Sequence, residues 1–412
     1  MSSFHTHLKY STGIVDYASI VHMHIVIVGG GFGGIKAALE LAKNHAMSVT
    51  LISNKDHFVY YPSLYAVATG GTRKQSFVPL SDIFRGTRVK FVQDTIVGYD
   101  PARRIINGKL RNYSYQRAVF ALGAVTSYFG IKGLEDYSFG IKSHDEVVAF
   151  RRHIHDELTS QRKIDKQYVV VGAGPTGVEL AASLAHYIKH IAEAHSIRHS
   201  RIRIRLVEAA PRVSPRMSEF ASRVVTERLK KLDIDVMTNE KVEWQDDDEV
   251  SISGRSIPTR TVIWTSGVAN NPFFASHADH FKLSPNGRVI VDEHLKVDEY
   301  TYVIGDNAYT PYSGLAQTAL HDALYAARDI IRSHHDHLRP TYESMKPPVV
   351  VPVGTRWAIM EWNWICVSGY LGHLIRRSAD LIGYNDILPL RLAIDAWRSS
   401  EQREDACIVC QK

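Results

Sequence analysis

The sequence predicts an α/β chain in which one architectural unit occurs twice. Three observations carry that prediction. First, the apolar run His24-Ile25-Val26-Ile27-Val28 enters the turn Gly29-Gly30-Gly31-Phe32-Gly33-Gly34. A helical stretch from Ile35 to Lys43 and a second β run, Val49-Thr50-Leu51-Ile52, follow. Second, the same order returns from Tyr168-Val169-Val170-Val171 through Gly172-Ala173-Gly174-Pro175-Thr176-Gly177 and a longer helix to Ile202–Glu208. Third, three other β runs each end at a small-residue or glycine turn: Arg117 to Ala124, Thr261 to Gly267, and Tyr300 to Asp306.

The glycine spacing has a mechanical reason. The first glycine permits a tight turn, the second lets backbone approach a pyrophosphate, and the third lets the helix close on the strand. The helix then presents its N-terminal N–H groups and dipole to the phosphates. Gly29, Gly31 and Gly34 fill these roles in the first unit, and Gly172, Gly174 and Gly177 in the second. One such turn is weak evidence. Two, each between an apolar strand and a helix, point to two dinucleotide sites.

The strand ends differ. Glu208 closes the second strand of the later unit, where a carboxylate accepts from ribose hydroxyls and repels a 2′-phosphate, favouring NADH over NADPH. Arg212, four residues on, leaves some NADPH use open. In the first unit the equivalent position is Ser53, followed by Asn54 and Lys55, which bond a ribose more weakly than an acid would.

After Asp306 a helix is expected, with Leu315, Ala319, Ala323, Ala326 and Ala327 near helical spacing, and Lys346-Pro347-Pro348 marks a boundary. Beyond it lie Trp357, Trp362, Trp364 and Trp397, with Leu371, Leu374, Ile375, Leu381 and Ile382 at helix-like intervals. Arg376, Arg377, Arg391 and Arg398 are interspersed. Apolar residues on one side and basic residues on the other form the pattern of a helix lying in a membrane interface. Arg376, Arg377 and Asp380 make it a poor spanning segment.

Composition narrows the class. Hydrophobic residues make up 45% and charged residues 22% of the 412, which excludes a globally disordered or collagen-like chain. The net charge of +6 permits an anionic partner without demanding one. The 3 cysteines, Cys366, Cys407 and Cys410, all lie late in the chain, so no disulfide framework spans the body, and a reducing compartment is expected. The uncharged stretch from Tyr17 to Ile35 is nominally long enough to span a bilayer, but its glycines belong to the first turn. No signal peptide is expected there. Residues 1–22 read as an appended tail, with Met23 directly before the first strand. No metal is expected: His190, His195 and His199, the run His334-His335-Asp336-His337, and the single Cys407–Cys410 spacing each lack a partner set.

These motifs in this order resemble the two-dinucleotide-binding-domain FAD/NAD flavoproteins, and most closely the type II NADH dehydrogenases, the non-pumping NADH:quinone oxidoreductases. Carrying the resemblance are the following: Tyr61-Pro62-Ser63-Leu64-Tyr65 with Val67-Ala68-Thr69-Gly70; Ala121-Leu122-Gly123; Gly174 to Ala181; Val207-Glu208-Ala209; Trp264 to Val268; Gly305-Asp306; and Leu315 to Ala319. The resemblance implies two Rossmann-like domains, a discontinuous FAD domain with an NADH domain inserted, and a C-terminal amphipathic segment. In the expected division, 1–22 is a tail, and 23–135 and 270–346 are the two stretches of the FAD domain. The NADH domain occupies 136–269 between them, and 347–412 is a membrane-association or packing segment.

The resemblance also assigns roles. FAD is expected on Gly29, Gly31, Phe32, Gly33, Gly34, Ser53, Asn54, Lys55, Pro62, Ala121 and Gly123. Gly305, Asp306 and the helix start at Leu315, Ala316 and Gln317 complete that set. NADH is expected on Gly172, Gly174, Thr176, Gly177, Glu208 and Gly267. Glu179, Gln317 and His321 are the expected catalytic groups. The family's second glutamine is His321 here, which places a titratable group beside a quinone. The partners implied are a quinone and a membrane surface, met peripherally on the cytoplasmic, inner face; no nucleic acid is expected, and a homodimer is left open. The rivals are a soluble NADH-dependent flavin reductase and an apoptosis-inducing-factor-like redox sensor. Disulfide reductases and sulfide:quinone reductases are disfavoured, because both need cysteines in the body of the fold.

Overall fold

The structure is a computed structural model and describes residues 22–159, 166–197, 202–404 and Cys410. Nearly continuous apolar runs make buried parallel strands. Met23–Val28 is one, lying at the centre of a five-stranded parallel sheet whose order is Thr301–Val303, Arg117–Phe120, Met23–Val28, Met47–Ser53, Val89–Gln93. The segment 301–303 therefore returns to the sheet that 23–120 began.

Between those stretches lies a second parallel sheet, ordered Ile234–Thr238, Ile202–Glu208, Lys166–Val171, Thr261–Trp264. The chain leaves and re-enters the first sheet through an antiparallel ribbon, Ala124–Thr126 against Val268–Asn270. Gly267 sits at φ 77° just before the returning strand, where a Cβ would strike Ser127 O at 2.4 Å and the Phe129 ring at 2.7 Å. Its glycine is thus required by the ribbon itself.

The helix Phe32–Leu41 packs on the late helix Ala316–His334. Gly33 allows this approach, since a Cβ there would lie 3.2 Å from Ile304 Cδ1 and 3.5 Å from Ala319 O.

The C-terminal segment starts with three antiparallel strands, Val349–Pro352, Ala358–Trp362 and Ile365–Gly369, which helical spacing alone does not anticipate. Helices Tyr370–Asn385 and Leu390–Ser399 follow. Val351 and Ile359 join the core of the second sheet, whereas Tyr384, Leu388 and Ala393 join the core of the first. The segment spans both cores.

One expectation is corrected here. Arg376 does not share a solvent-facing basic side; it is 7% exposed and points into the protein. Leu371, Leu374 and Ile382 of the same helix face outward, as do Trp362 and Trp364 of the preceding hairpin. Trp357 and Trp397 are held inward, under Arg228 and Arg377 respectively. Lys36, on the first helix, is likewise buried and bonds Asp386, tying that helix to the C-terminal one.

Candidate active site

The two glycine turns separate what the chain needs from what it does not. A Cβ at Gly29 would meet Ala121 O at 2.0 Å, and one at Gly34 would meet Gly29 O at 1.9 Å. In the second turn, Gly172 faces Ser266 Oγ at 2.1 Å and Gly177 faces Gly172 O at 1.7 Å. Internal packing therefore demands glycine at all four. The central glycines are different: a Cβ at Gly31 or Gly174 meets nothing within 4 Å, and both backbones are ordinary extended ones, φ −95° and −67°. Among the described residues, no contact requires glycine at 31 or 174.

Each central glycine is also the N-cap of its helix. Neither cap makes a side-chain hydrogen bond, and neither first turn carries an acid. The helix Ala316–His334 starts in the same way after Leu315. Three uncapped helix starts thus keep N–H groups and positive dipole ends available for anionic or electron-rich groups.

Tertiary contacts gather the expected flavin residues. Gly305, at φ 68°, would bring a Cβ within 3.2 Å of Ala319 Cβ, so the Gly305 turn, the Gly33 turn and the late helix meet at one place. Gly123 is held there by the buried Asn307, whose Oδ1 accepts from Gly123 N–H and whose Nδ2 donates to Gly123 O, both at 2.9 Å. Asp306 is pushed above the usual carboxylate range by burial, against the pull of Arg288, the Gly314 N–H and Lys142.

Two residues of this site were not foreseen. Asn307 is one. Asp322, fully buried, is the other: it accepts from Gly305 N–H at 2.9 Å and from Tyr342 Oη at 2.6 Å. Burial raises its pKa to about 6 in spite of those two bonds. No spacing rule finds them, because their partners are remote in sequence.

Some expected residues serve the fold as well. The Phe32 ring is buried against Phe58 and Tyr60, leaving only its backbone to face a ligand. Ser53 is buried and its Oγ accepts from Lys55 N–H at 3.1 Å. Asn54 and Lys55 are exposed.

Glu208 accepts from Ala173 N–H at 2.7 Å and Ala210 N–H at 2.9 Å, so it braces the second glycine turn. Thr176 is exposed at the helix start. Arg212 donates to the carbonyls of Met217 and Pro215, which turns it toward its own loop and away from a 2′-phosphate role.

Glu179 lies buried one turn into its helix. Its Oε1 is 2.9 Å from Arg376 Nη1. Arg376 also contacts both oxygens of Asp380 and donates to Pro62 O at 2.6 Å and Val350 O at 3.1 Å. Burial pushes the Glu179 carboxyl up to about 7, Arg376 pulls it back and Asp380 adds to the rise.

Gln317 and His321 sit one turn apart on the late helix, Gln317 exposed and His321 half-buried. His321 Nδ1 is buried without a hydrogen bond among the described residues, and its ring faces Tyr342 at 5.5 Å. Burial and the Arg328 charge lower its pKa, which favours the uncharged ring. The bonding and ring partners of Glu179 and of His321 have no member in common.

Residues 23–323 match the pyridine nucleotide-disulphide oxidoreductase family. The chain belongs to that family. Among its relatives, the type II NADH:quinone oxidoreductase NdhA of Mycobacterium tuberculosis is 28% identical, covering 90% of this chain and 86% of its own length. The Ndh enzyme of the same organism is 29% identical, covering 94% and 90%.

Among solved structures, NDH2 of Plasmodium falciparum, in complex with NADH, superposes with a TM-score of 0.83 at 18% identity, covering 92% of this chain and 97% of that one. The sulfide:quinone oxidoreductase of Aquifex aeolicus superposes at 0.74 with 19% identity, covering 87% and 89%. At those identities the superpositions speak for the fold. This member of the family nevertheless has no cysteine before Cys366, so the body of the fold holds no thiol pair.

Proposed function

We propose that this chain oxidises NADH through bound FAD and passes two electrons to a quinone, as a type II NADH:quinone oxidoreductase does. The observation that carries the reading is the pair of glycine turns whose central members, Gly31 and Gly174, are required by no contact among the described residues and fit the close approach of a pyrophosphate. It is supported by relatives of that name along nearly the full chain. Neither the soluble flavin reductase nor the redox sensor is favoured.

FAD, when bound, supplies two-electron chemistry, taking a hydride from NADH and giving electrons to the quinone. The chain binds, orients and shields. Gly31 and the helix start at Phe32–Gly34 would receive the pyrophosphate, with Ser53, Asn54 and Lys55 near the adenosine and Asp306 toward the ribityl chain. The helix start at Ala316 and Gln317 would place N–H groups at the flavin edge where negative charge gathers. Gly174 and Glu208 would hold NADH, with Glu208 accepting from its ribose. Glu179, with a pKa about 7, is poised to hold or release a proton at its carboxyl group near neutral pH. His321, whose pKa is lowered by burial and Arg328, fits a hydrogen-bonding role toward a quinone carbonyl better than a proton-donor role.

The proposed division keeps the flavin-binding stretches at 23–135 and 270–346 around the NADH domain at 136–269, with 347–412 as the membrane-facing segment. No helix among the described residues is long and apolar enough to cross a membrane. Trp364, Leu371, Leu374 and Ile382 form the outward apolar face proposed to lie on the cytoplasmic leaflet. A homodimer remains compatible with this placement.

The test is an absorbance spectrum of purified protein before NADH, after NADH, and after a soluble quinone. Flavin bands that bleach with NADH and return with quinone under anaerobic conditions are expected. Bleaching without return would leave a flavin reductase of another acceptor.

A further inference from the structure

His155, His195 and Cys410 are brought together from three separate places in the chain. His155 lies on the helix His144–Thr159, His195 is the C-cap residue of Pro175–Ala194, and Cys410 belongs to the C-terminal tail. One ligand atom from each lies within 4.8 Å of the others. The two imidazole rings are 5.3 Å apart, centroid to centroid. Cys410 is buried, and its Sγ is 3.5 Å from His195 Nε2.

We propose that this cluster binds a zinc ion that fastens the C-terminal tail to the NADH-binding domain. Zinc holds sulfur at about 2.3 Å and imidazole nitrogen at about 2.0–2.1 Å, so a tetrahedral ion sets sulfur and nitrogen about 3.6 Å apart. The separation found here matches.

Two further observations point to an ion. His155 Nε2 is buried with no hydrogen bond among the described residues, while its Nδ1 faces the Asp156 carboxylate at 3.4 Å. That arrangement favours the tautomer with Nδ1–H toward Asp156 and leaves Nε2 as the ring's lone-pair donor, as in the carboxylate–histidine–metal pattern. His195 also stands at the C-terminal end of its helix, where the dipole favours a cation.

The donor set narrows the metal to a transition ion. One thiolate and two imidazoles suit zinc and offer no oxygen cage for magnesium or calcium. Binding releases the Cys410 thiol proton, and a water completes the coordination. The carbonyl of Cys410 separately accepts from His190 Nε2 at 3.0 Å, beside the cluster. No metal is expected at His190 and His195 from sequence, and in the structure both meet Cys410. Cys407 and His199 lie outside the described residues and enter nothing here.

The cluster is distinct from the redox site, so the test separates the two. Full-length protein carrying its flavin is equilibrated with zinc chloride, passed into metal-free buffer, and its bound zinc counted. One zinc per chain is expected, with one sulfur and two imidazole nitrogens in the zinc-edge X-ray absorption spectrum. Cys410→Ser and His195→Ala should each weaken zinc binding by about 100-fold or more, beyond the roughly 10–100-fold of an outer-shell loss. Both variants should keep wild-type flavin content and reduction by NADH, which shows that they fold. Wild-type protein that retains no zinc, indicating only a thiol–imidazole hydrogen bond, overturns the proposal. So does Cys410→Ser protein that binds zinc as tightly as wild type.

Discussion

Arg376 Nη1 and Glu179 Oε1 stand 2.9 Å apart, although 197 residues separate them in the chain. The pair joins the C-terminal helix to the helix that opens at the second glycine turn, and both side chains are buried. Removing one partner of a buried ion pair leaves an uncompensated charge and costs about 3–5 kcal/mol. Arg376→Leu should therefore lower stability by that amount at pH 8. Without the guanidinium, burial and Asp380 drive Glu179 to keep its proton. The native variant then binds a proton that the unfolded chain gives up, so its stability falls as pH rises, and the loss should be smaller at pH 5.5. Urea denaturation at the two pH values checks this; an equal loss at both would mean that Glu179 is not the charge left behind.

Glu179 itself should set a pH dependence. Its folded pKa, about 7, lies above the ordinary glutamate value, so between roughly pH 4.5 and 7 the unfolded chain ionises first and stability declines through that window. If the same proton serves quinone reduction, kcat falls as pH rises through about 7. Glu179→Gln should flatten that profile. Steady-state rates from pH 5.5 to 8.5 give the answer, and an unchanged inflection would assign it to another group.

The glycine turns allow a paired prediction. Gly31→Val projects into space that the chain leaves open, so the protein should fold, with thermal unfolding close to that of apoprotein, and yet carry no flavin. Gly29→Ala collides with Ala121 O and should fail to fold. A Gly31→Val protein with wild-type flavin absorbance would refute the pyrophosphate assignment.

That contrast also explains how much could be read from sequence. Gly29, Gly34, Gly172 and Gly177 are forced by contacts within a few residues or with the adjoining strand, so their spacing is a local signature. The strands flanking those turns could be placed for the same reason, whereas the edge strands Val89–Gln93 and Ile234–Thr238 adjoin no such turn and are not anticipated. Asn307 and Asp322 answer to the Gly123 and Gly305 N–H groups and the Tyr342 hydroxyl, which only the assembled fold brings near. Arg376 misled for a physical reason: an arginine in an amphipathic stretch normally reaches water, and only a buried carboxylate far upstream reverses that. The hairpin before Tyr370 was masked by its own Trp residues, which suit a strand as well as an interfacial helix.

Glu208→Ala should narrow the preference for NADH over NADPH, since it removes ribose acceptors and the repulsion of a 2′-phosphate. The bonds to Ala173 and Ala210 add a second effect: the loosened turn should raise KM for both cofactors. Comparing kcat/KM for NADH and NADPH tests the change in preference. An unchanged ratio with both KM values raised would leave Glu208 as a brace alone.

The outward face of the C-terminal segment yields the last prediction. Trp364 is 89% exposed and Leu371 65%, with Leu374 and Ile382 beside them. Exposed side chains of that size in one region are costly in water and gain when set into a lipid interface. Full burial of a leucine is worth about 1.5–3 kcal/mol, and each 1.4 kcal/mol is about tenfold in partition. Changing Leu371 and Leu374 together to Ser should therefore weaken association with phosphatidylglycerol-containing liposomes by at least tenfold. Both lie away from Arg376 on their helix, so flavin content and the rate of flavin reduction by NADH should stay at wild-type values. Sedimentation with liposomes, paired with stopped-flow reduction, checks both expectations. Undiminished sedimentation would show that another surface meets the membrane, for the variant leaves Arg391 and Arg398 exposed and able to attract the anionic lipid by charge alone.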